Sequence, residues 1–219
     1  MIVSQRLNRL PAAERGITIG DFLVPVSLGE RISTRARHLA LIIVGALFIA
    51  LTAQFVILRQ PVPITGQTLG VLLVGGALGS KRGAGAALLY VVLGFFVPVY
   101  AEHTQGLARI IGSSGGHLVL GTTGGYLLGF IVAAAVIGRL AELGWDRNVL
   151  GAIAAFIVGN LVIYAFGVPW LMLATGLDLG GAVTNGVSPF LLVDGLKILV
   201  AAALFPAAWW LVGRRPAER

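Results

Sequence analysis

The stretch from Ser188 to Val212, SPFLLVDGLKILVAAALFPAAWWLV, is almost wholly apolar yet carries Asp194 and Lys197. A run of this length and character reads as a membrane-spanning helix, and an ionisable side chain inside such a helix costs about 2.5–3.5 kcal/mol on insertion scales. Two such costs constrain the remainder of the chain, which must supply a protein interior at bilayer depth where both charges are hidden. The i,i+3 spacing puts the carboxylate and the ammonium on one helical face, so they partly neutralise each other while pointing into a bundle. Gly195 between them leaves room for something to approach the backbone. One reading of the pair is a structural bridge between helices. The other is a ligand site, favoured because membrane helices ordinarily hold together through small or uncharged polar residues, whereas intramembrane charge marks function by default. A carboxylate accepts hydrogen bonds and an ammonium donates them, so the pair suits a compact solute that does both or carries its own charge.

Composition supports the membrane assignment. Of 219 residues, 57% are hydrophobic and only 11% charged, which excludes an ordinary soluble domain. The 31 glycines allow close helix approach where no hydrophobic effect drives helices together. No cysteine is present, so neither disulfide nor thiolate chemistry enters. The net charge of +7 does not point to nucleic acid, because the basic residues flank apolar spans and form no separate basic region.

The expected fold is an all-α membrane protein of six transmembrane helices. Residues 1–37 form a cytoplasmic N-terminal arm, mostly disordered or interfacial, 38–213 the membrane-embedded ligand-binding domain, and 214–219 a cytoplasmic tail. The spans fall at about 38–58, 66–79, 84–98, 123–140, 149–173 and 188–212. Between the first two, RQPVPIT cannot be regular helix, since Pro61 and Pro63 remove donors and bias their predecessors to extended conformations. GSKRG at 79–83 reads as a tight charged turn, and the GLARIIG of the long connection 99–122 as a short interfacial helix or a hairpin. AELGWDRN reads as an internal loop and ATGLDLGGAVTNGV as an external one. Gly121, Gly125 and Gly129 repeat small-x-x-x-small spacing on one face, as do Ala46 and Ala50 in span one. Six spans place both termini on one side, and under that topology 13 of the 16 basic residues lie there, with Arg59 and Arg109 opposite and Lys197 in the membrane. This bias puts the termini in the cytoplasm and Asp194 in the outer half of the bilayer. Trp145, Trp209 and Trp210 then fall at the inner interface, with Tyr100 and Trp170 at the outer.

The uncharged polar groups at compatible depth are Gln67, Thr68, Thr123, Tyr126, Asn160 and Tyr164. The substrate-binding set taken from them, with Asp194 and Lys197, is Gln67, Thr68, Thr123, Tyr126 and Asn160. Each has a structural alternative: the threonines bonding their own backbone, Tyr126 lying in an interfacial belt, Asn160 bonding a neighbouring helix. Catalysis has little support. The histidines His38, His103 and His117 form no H-E-x-x-H motif, and no Walker A sequence occurs. Binding without chemistry, with no cofactor and no metal, is the simpler account.

Taken jointly and in order, the proline loop with PITGQTLGVLLVG, the KRG turn, TTGGYLLGF, IYAFGVPWL and D-G-L-K resemble the BioY family, the biotin-specific S components of energy-coupling factor (ECF) transporters. The likeness covers about residues 38–212. It implies a six-helix S-component bundle in the cell membrane that captures biotin from outside, with the D-x-x-K residues Asp194 and Lys197 contacting ligand. It also implies docking on an EcfT-type transmembrane coupling protein driven by cytoplasmic ATP-binding subunits, with the A-x-x-x-A stripe of Ala46 and Ala50 as docking surface. This chain has GTTGGY where GPTGGY is common, and a longer arm and third connection. An S component for another vitamin, a small channel, or an intramembrane enzyme using Asp194 are the alternatives.

Overall fold

The computed structural model describes residues 16–22, 33–58, 62–114 and 117–213. Six helices make the bundle: α1 (Thr34–Ala53), α2 (Gln67–Leu78), α3 (Ser80–Phe96), α4 (Gly124–Glu142), α5 (Val149–Thr175) and, after the short α6 (Leu179–Gly186), α7 (Leu191–Gly213). α4 is central, packing on α5, α3 and α2, while α1 covers α2 and α3 and α7 covers α5. Four segments are long and apolar enough to cross a bilayer: Thr34–Ala53, Gly124–Glu142, Val149–Thr175 and Leu179–Val212.

Local chemistry sets the boundaries. Ser33, Asn148 and Asp178 cap the starts of α1, α5 and α6 by accepting from the backbone N–H groups of Ala36, Gly151 and Gly181. α5 stops at Gly176, whose φ of 74° is left-handed. Where α4 meets α5, glycine is needed for contact: a Cβ on Gly125 would lie 2.2 Å from Trp170 Cβ and 2.5 Å from the Phe166 carbonyl oxygen. Gly125 and Gly129 are therefore on a helix-packing face, whereas Gly121 precedes α4 and lies against the Arg109 carbonyl.

Several boundaries depart from the sequence expectation. Span one ends at Ala53, and Val56–Leu58 is instead strand β1, paired antiparallel with β2 (Ile64–Thr65). The turn between α2 and α3 is Gly79 alone, at φ 83°, so Lys81 and Arg82 already belong to α3. The long connection contains both expected alternatives, a single 3₁₀ turn at Leu107–Arg109 and a hairpin of β3 (Ile111–Ser114) with β4 (His117–Leu120). The segment read as an external loop holds helix α6, which Asp178 caps. Gly195 is exposed and faces open space, so its backbone is open to approach from outside the bundle.

α2 has 12 residues, about 18 Å at 1.5 Å per residue, against a hydrocarbon layer of about 30 Å. The β1–β2 hairpin makes up the depth, for Val62, Ile64 and Thr65 are buried. Gln54 ties this hairpin end together, donating from Nε2 to the carbonyls of Val99 and Tyr100 at 3.1 Å each.

The opposite end is rich in arginine and is closed by Gly16–Phe22, part of the segment expected to be disordered or interfacial. Thr18 is 1% exposed. Arg82 donates to Asp21 Oδ1 at 2.8 Å and to Thr18 Oγ1 at 2.9 Å, and Arg147 donates to the Ile17 carbonyl at 2.9 Å. Phe22 meets Trp209 edge to face at 6.0 Å, and the Arg147 guanidinium lies 3.9 Å over the Trp209 ring. Trp209 is thus a buried closing residue and no interfacial anchor, its Nε1 donating to Asp146 Oδ2 at 2.7 Å, whereas Trp210 is exposed. Tyr100, expected at the outer interface, is buried as well. Arg6, Arg9, Arg15, Arg31, Arg59, Pro61 and the tail 214–219 lie outside the described residues.

Ala46 and Ala50 do not form an exposed stripe. Ala46 is 0% exposed and Ala50 is buried within the chain alone, because their face of α1 packs on the bundle. The face of α1 turned outward carries Leu39, Ile43, Leu47 and Leu51. Small side chains one turn apart permit close helix contact, and here they serve the contact inside the chain.

Candidate functional site

Asp194 in the first turn of α7 and Lys197 in the second are 4% and 8% exposed. Lys197 Nζ donates to Asp194 Oδ1 at 2.9 Å and to Thr68 Oγ1 of α2 at 2.7 Å, and Thr68 Oγ1 lies 3.4 Å from the same carboxylate oxygen. The other carboxylate oxygen, Oδ2, accepts from the hydroxyl of Tyr164 on α5. Three helices thus converge on one buried ion pair. Removing either member of a pair so satisfied would strand the other without water.

Thr68 faces two ways. It holds Lys197 behind and lines a cavity of about 30 Å³ in front, under the β1–β2 hairpin. The other walls include Pro63 and Thr65 of the hairpin, Gln67, Thr123, Tyr126 and Phe190. A second cavity of about 20 Å³ lies toward the long connection and shares Pro63, Gln67, Thr123 and Leu127 with the first, adding Tyr100 and Arg109. Together these chambers hold little more than water molecules.

The sequence-derived residues distribute as follows. Gln67, Thr68, Thr123 and Tyr126 come together around the first cavity. Gln67 Nε2 donates to the Tyr90 hydroxyl at 2.6 Å, and the Tyr126 hydroxyl donates to the Gly186 carbonyl at 2.9 Å, so Tyr126 is an internal strut and no belt residue. Asp194 and Lys197 stand one layer behind Thr68 and do not line the cavity. Asn160, one turn of α5 from Tyr164, is 5% exposed, and neither its Nδ2 nor its Oδ1 has a hydrogen-bond partner among the described residues. A buried amide left unpaired costs about 1–3 kcal/mol, and Asn160 is not among the residues that line the two cavities.

Sequence reasoning left Tyr164 out of the binding set, although it provides the second anchor of Asp194, and missed Tyr90 and Phe190. Tyr90 carried a signal in hindsight: a hydroxyl-bearing ring in an otherwise apolar span needs an internal partner. Phe190, an ordinary apolar residue before α7, carried none; it packs 6.3 Å from the Tyr126 ring and 6.5 Å from that of Tyr164. In the connection above, Tyr100 donates to the Val91 carbonyl at 2.6 Å, and burial pushes its hydroxyl up to about 12, so it stays a donor throughout the neutral range.

Known proteins resemble this arrangement. A solved structure described as the S-component for biotin from an ECF-type ABC transporter superposes with a TM-score of 0.68, covering 84% of this chain and all of that one at 21% identity, which establishes a shared fold. The biotin transporter BioY2 of Lactococcus lactis subsp. cremoris is 35% identical over 172 residues, spanning 77% of this chain and 87% of the relative. The biotin transporter BioY of Thermotoga maritima is 37% identical over 166 residues, 75% and 87% of the two chains. A model of the BioY family matches residues 26–214, nearly the whole bundle, and the chain is a multi-pass membrane protein belonging to the BioY family.

Proposed function

We propose that this chain is the biotin-binding S component of an ECF-type vitamin uptake transporter, capturing biotin at the hairpin end and delivering it through an EcfT-type coupling protein and ATP-binding subunits. The observation that carries the reading is the three-helix convergence on Asp194 and Lys197, with Thr68 shared between the ion pair and the cavity. Biotin matches its chemistry. The ureido group offers N–H donors and a carbonyl acceptor in one compact ring, and the molecule carries a carboxylate, so a carboxylate, an ammonium and a hydroxyl in one cluster can each find a complement. Gln67, Thr68, Thr123, Tyr126 and the unpaired amide of Asn160 complete the binding set.

Pockets for drug-sized ligands occupy about 300–1,000 Å³, and the chamber here holds about 30 Å³. Ligand entry therefore requires the hairpin at Val62–Thr65, or Phe190, to withdraw, after which Gln67, Thr68, Thr123 and Tyr126 are met with the ion pair directly behind Thr68. The protein binds and releases the vitamin unchanged. The arginine-rich end faces the cytoplasm with both termini, in the cell membrane. Docking on α1 would use the exposed residues flanking Ala46 and Ala50, since the alanines themselves are buried.

The test is ligand binding to the purified chain alone, without nucleotide, measured by calorimetry with biotin, thiamin and riboflavin. A biotin response without the others is expected. Folded protein that ignores biotin and binds another vitamin would move the assignment to a different S component.

A further inference from the structure

At the arginine-rich end a cavity of about 570 Å³ opens beside the α2–α3 turn, among His38 of α1, Leu78, Lys81 and Arg82 at the turn, and Arg139 and Glu142 of α4. The one carboxylate here is occupied: Glu142 Oε1 accepts from the Ser80 N–H and hydroxyl at 2.8 Å each, and Oε2 accepts from Arg139 at 3.2 Å. Arg82 is occupied as well, by Asp21 and Thr18. Lys81 and His38 are exposed and make no hydrogen bond or ion pair with the described residues, and Arg139 leaves most of its guanidinium exposed beyond its single carboxylate contact. Among the described residues, a positive charge without a counter-charge thus lines a concave surface.

A second cavity, of about 270 Å³, adjoins the first. It is an apolar groove between α1 and α2, lined by Leu41, Val44, Gly45, Phe48, Leu73 and Leu78. Leu78 is a wall of both, and His38 and Leu41 stand i,i+3 on one face of α1, so the groove leads from the basic cavity toward the middle of the bundle. It opens sideways, with Val44 63% exposed.

We propose that these two cavities form one seat for an anionic phospholipid, with the phosphate of the headgroup against Lys81, His38 and Arg139 and an acyl chain in the α1–α2 groove. Charge complementarity selects the head and the adjoining slot selects the tail. A soluble phosphate uses only the first half, and a neutral lipid only the second. The position agrees with the fold, because the basic groups lie at a helix end, where lipid headgroups are, and the groove runs from there along helices that cross the hydrocarbon layer.

The full-length protein, purified in non-ionic detergent and offered phosphatidylglycerol and phosphatidylcholine in equal amounts, is read by native mass spectrometry. Wild type is expected to retain phosphatidylglycerol preferentially. Lys81→Gln combined with Arg139→Gln is expected to lower that preference about thirtyfold, as for two cations near a charged surface. Val44→Trp, which fills the groove from its exposed side, is expected to reduce retention of both lipids while biotin binding stays unchanged. Equal retention of the two lipids by wild type, or an unchanged preference in the double variant, overturns the proposal. So does glycerol 3-phosphate raising thermal stability as much as phosphatidylglycerol does, which would leave an anion site without a tail seat. Undiminished retention in Val44→Trp overturns the groove assignment.

Discussion

Thr68 Oγ1 is placed to accept from Lys197 and to face the cavity at once, so any solute reaching it competes within an existing network. Asp194→Asn removes the counter-charge of Lys197 and weakens the acceptor of Tyr164. Losing one member of a desolvated pair costs about 2–5 kcal/mol, so biotin affinity should fall by at least a factor of about ten, read by calorimetry. The reversed pair, Asp194→Lys with Lys197→Asp, tests contact with the solute: recovered stability without recovered affinity is expected, and recovered affinity would favour a purely structural bridge. Asn160→Leu separates the same alternatives for a group with no internal partner. It should leave thermal stability equal or higher, since a buried unpaired amide is removed, while biotin affinity drops. The charged pair was legible in the sequence because charge in an apolar span is conspicuous. Phe190 was not, since its role depends on which helices meet, while Tyr90 and Tyr164 were visible only as hydroxyl-bearing rings in apolar spans.

At the scale of elements, the helix count followed from hydropathy, but their ends did not. Val56–Leu58 is as apolar as the helix before it, and only pairing with Ile64–Thr65 makes it strand; apolar runs of this length carry no periodicity that separates the two. Ala46 and Ala50 show the same limit, because a small-residue stripe marks a close contact without saying whether the neighbour is in the same chain. The α4–α5 contact allows a sharper expectation. Gly125→Leu would drive its side chain into Trp170 and the Phe166 carbonyl, and overpacking of this kind costs about 1–3 kcal/mol or more. A lowered midpoint in a thermal melt of the detergent-solubilised variant is expected, against little change for Gly195→Leu, which faces open space. At the closing segment, burial pushes the Asp21 carboxyl up, and the bonds from Arg82 and Thr18 more than reverse this, so it titrates below its ordinary value of 3.8. A carboxylate lowered by folding adds stability above its unfolded value and loses it as pH falls through the folded one. Burial raises Asp146, so that residue works in the opposite direction on acidification. Asp21→Asn should therefore reduce stability at neutral pH and flatten its decline below about pH 4, a comparison made by melting both proteins across a pH series.

The whole molecule has two unlike ends, one of hairpins over small chambers and one of arginines drawn over a short N-terminal segment. With no cysteine in the chain, single introduced thiols report on orientation without background. Gln105→Cys should react with a membrane-impermeant maleimide on intact cells and Arg35→Cys only after permeabilisation, and the reverse pattern would invert the topology. The N-terminal segment also sets an order of assembly. Gly16–Phe22 is made before any of the helices, yet its partners are Arg82 of α3, Glu142 at the end of α4, Arg147 after it and Trp209 in the last helix. During synthesis the segment waits through five helix insertions before its final ring contact exists, so residues made ahead of the helices are among the last to settle, and a nascent chain arrested before α7 holds them by Arg82, Arg147 and the Glu142 carbonyl without the Trp209 ring.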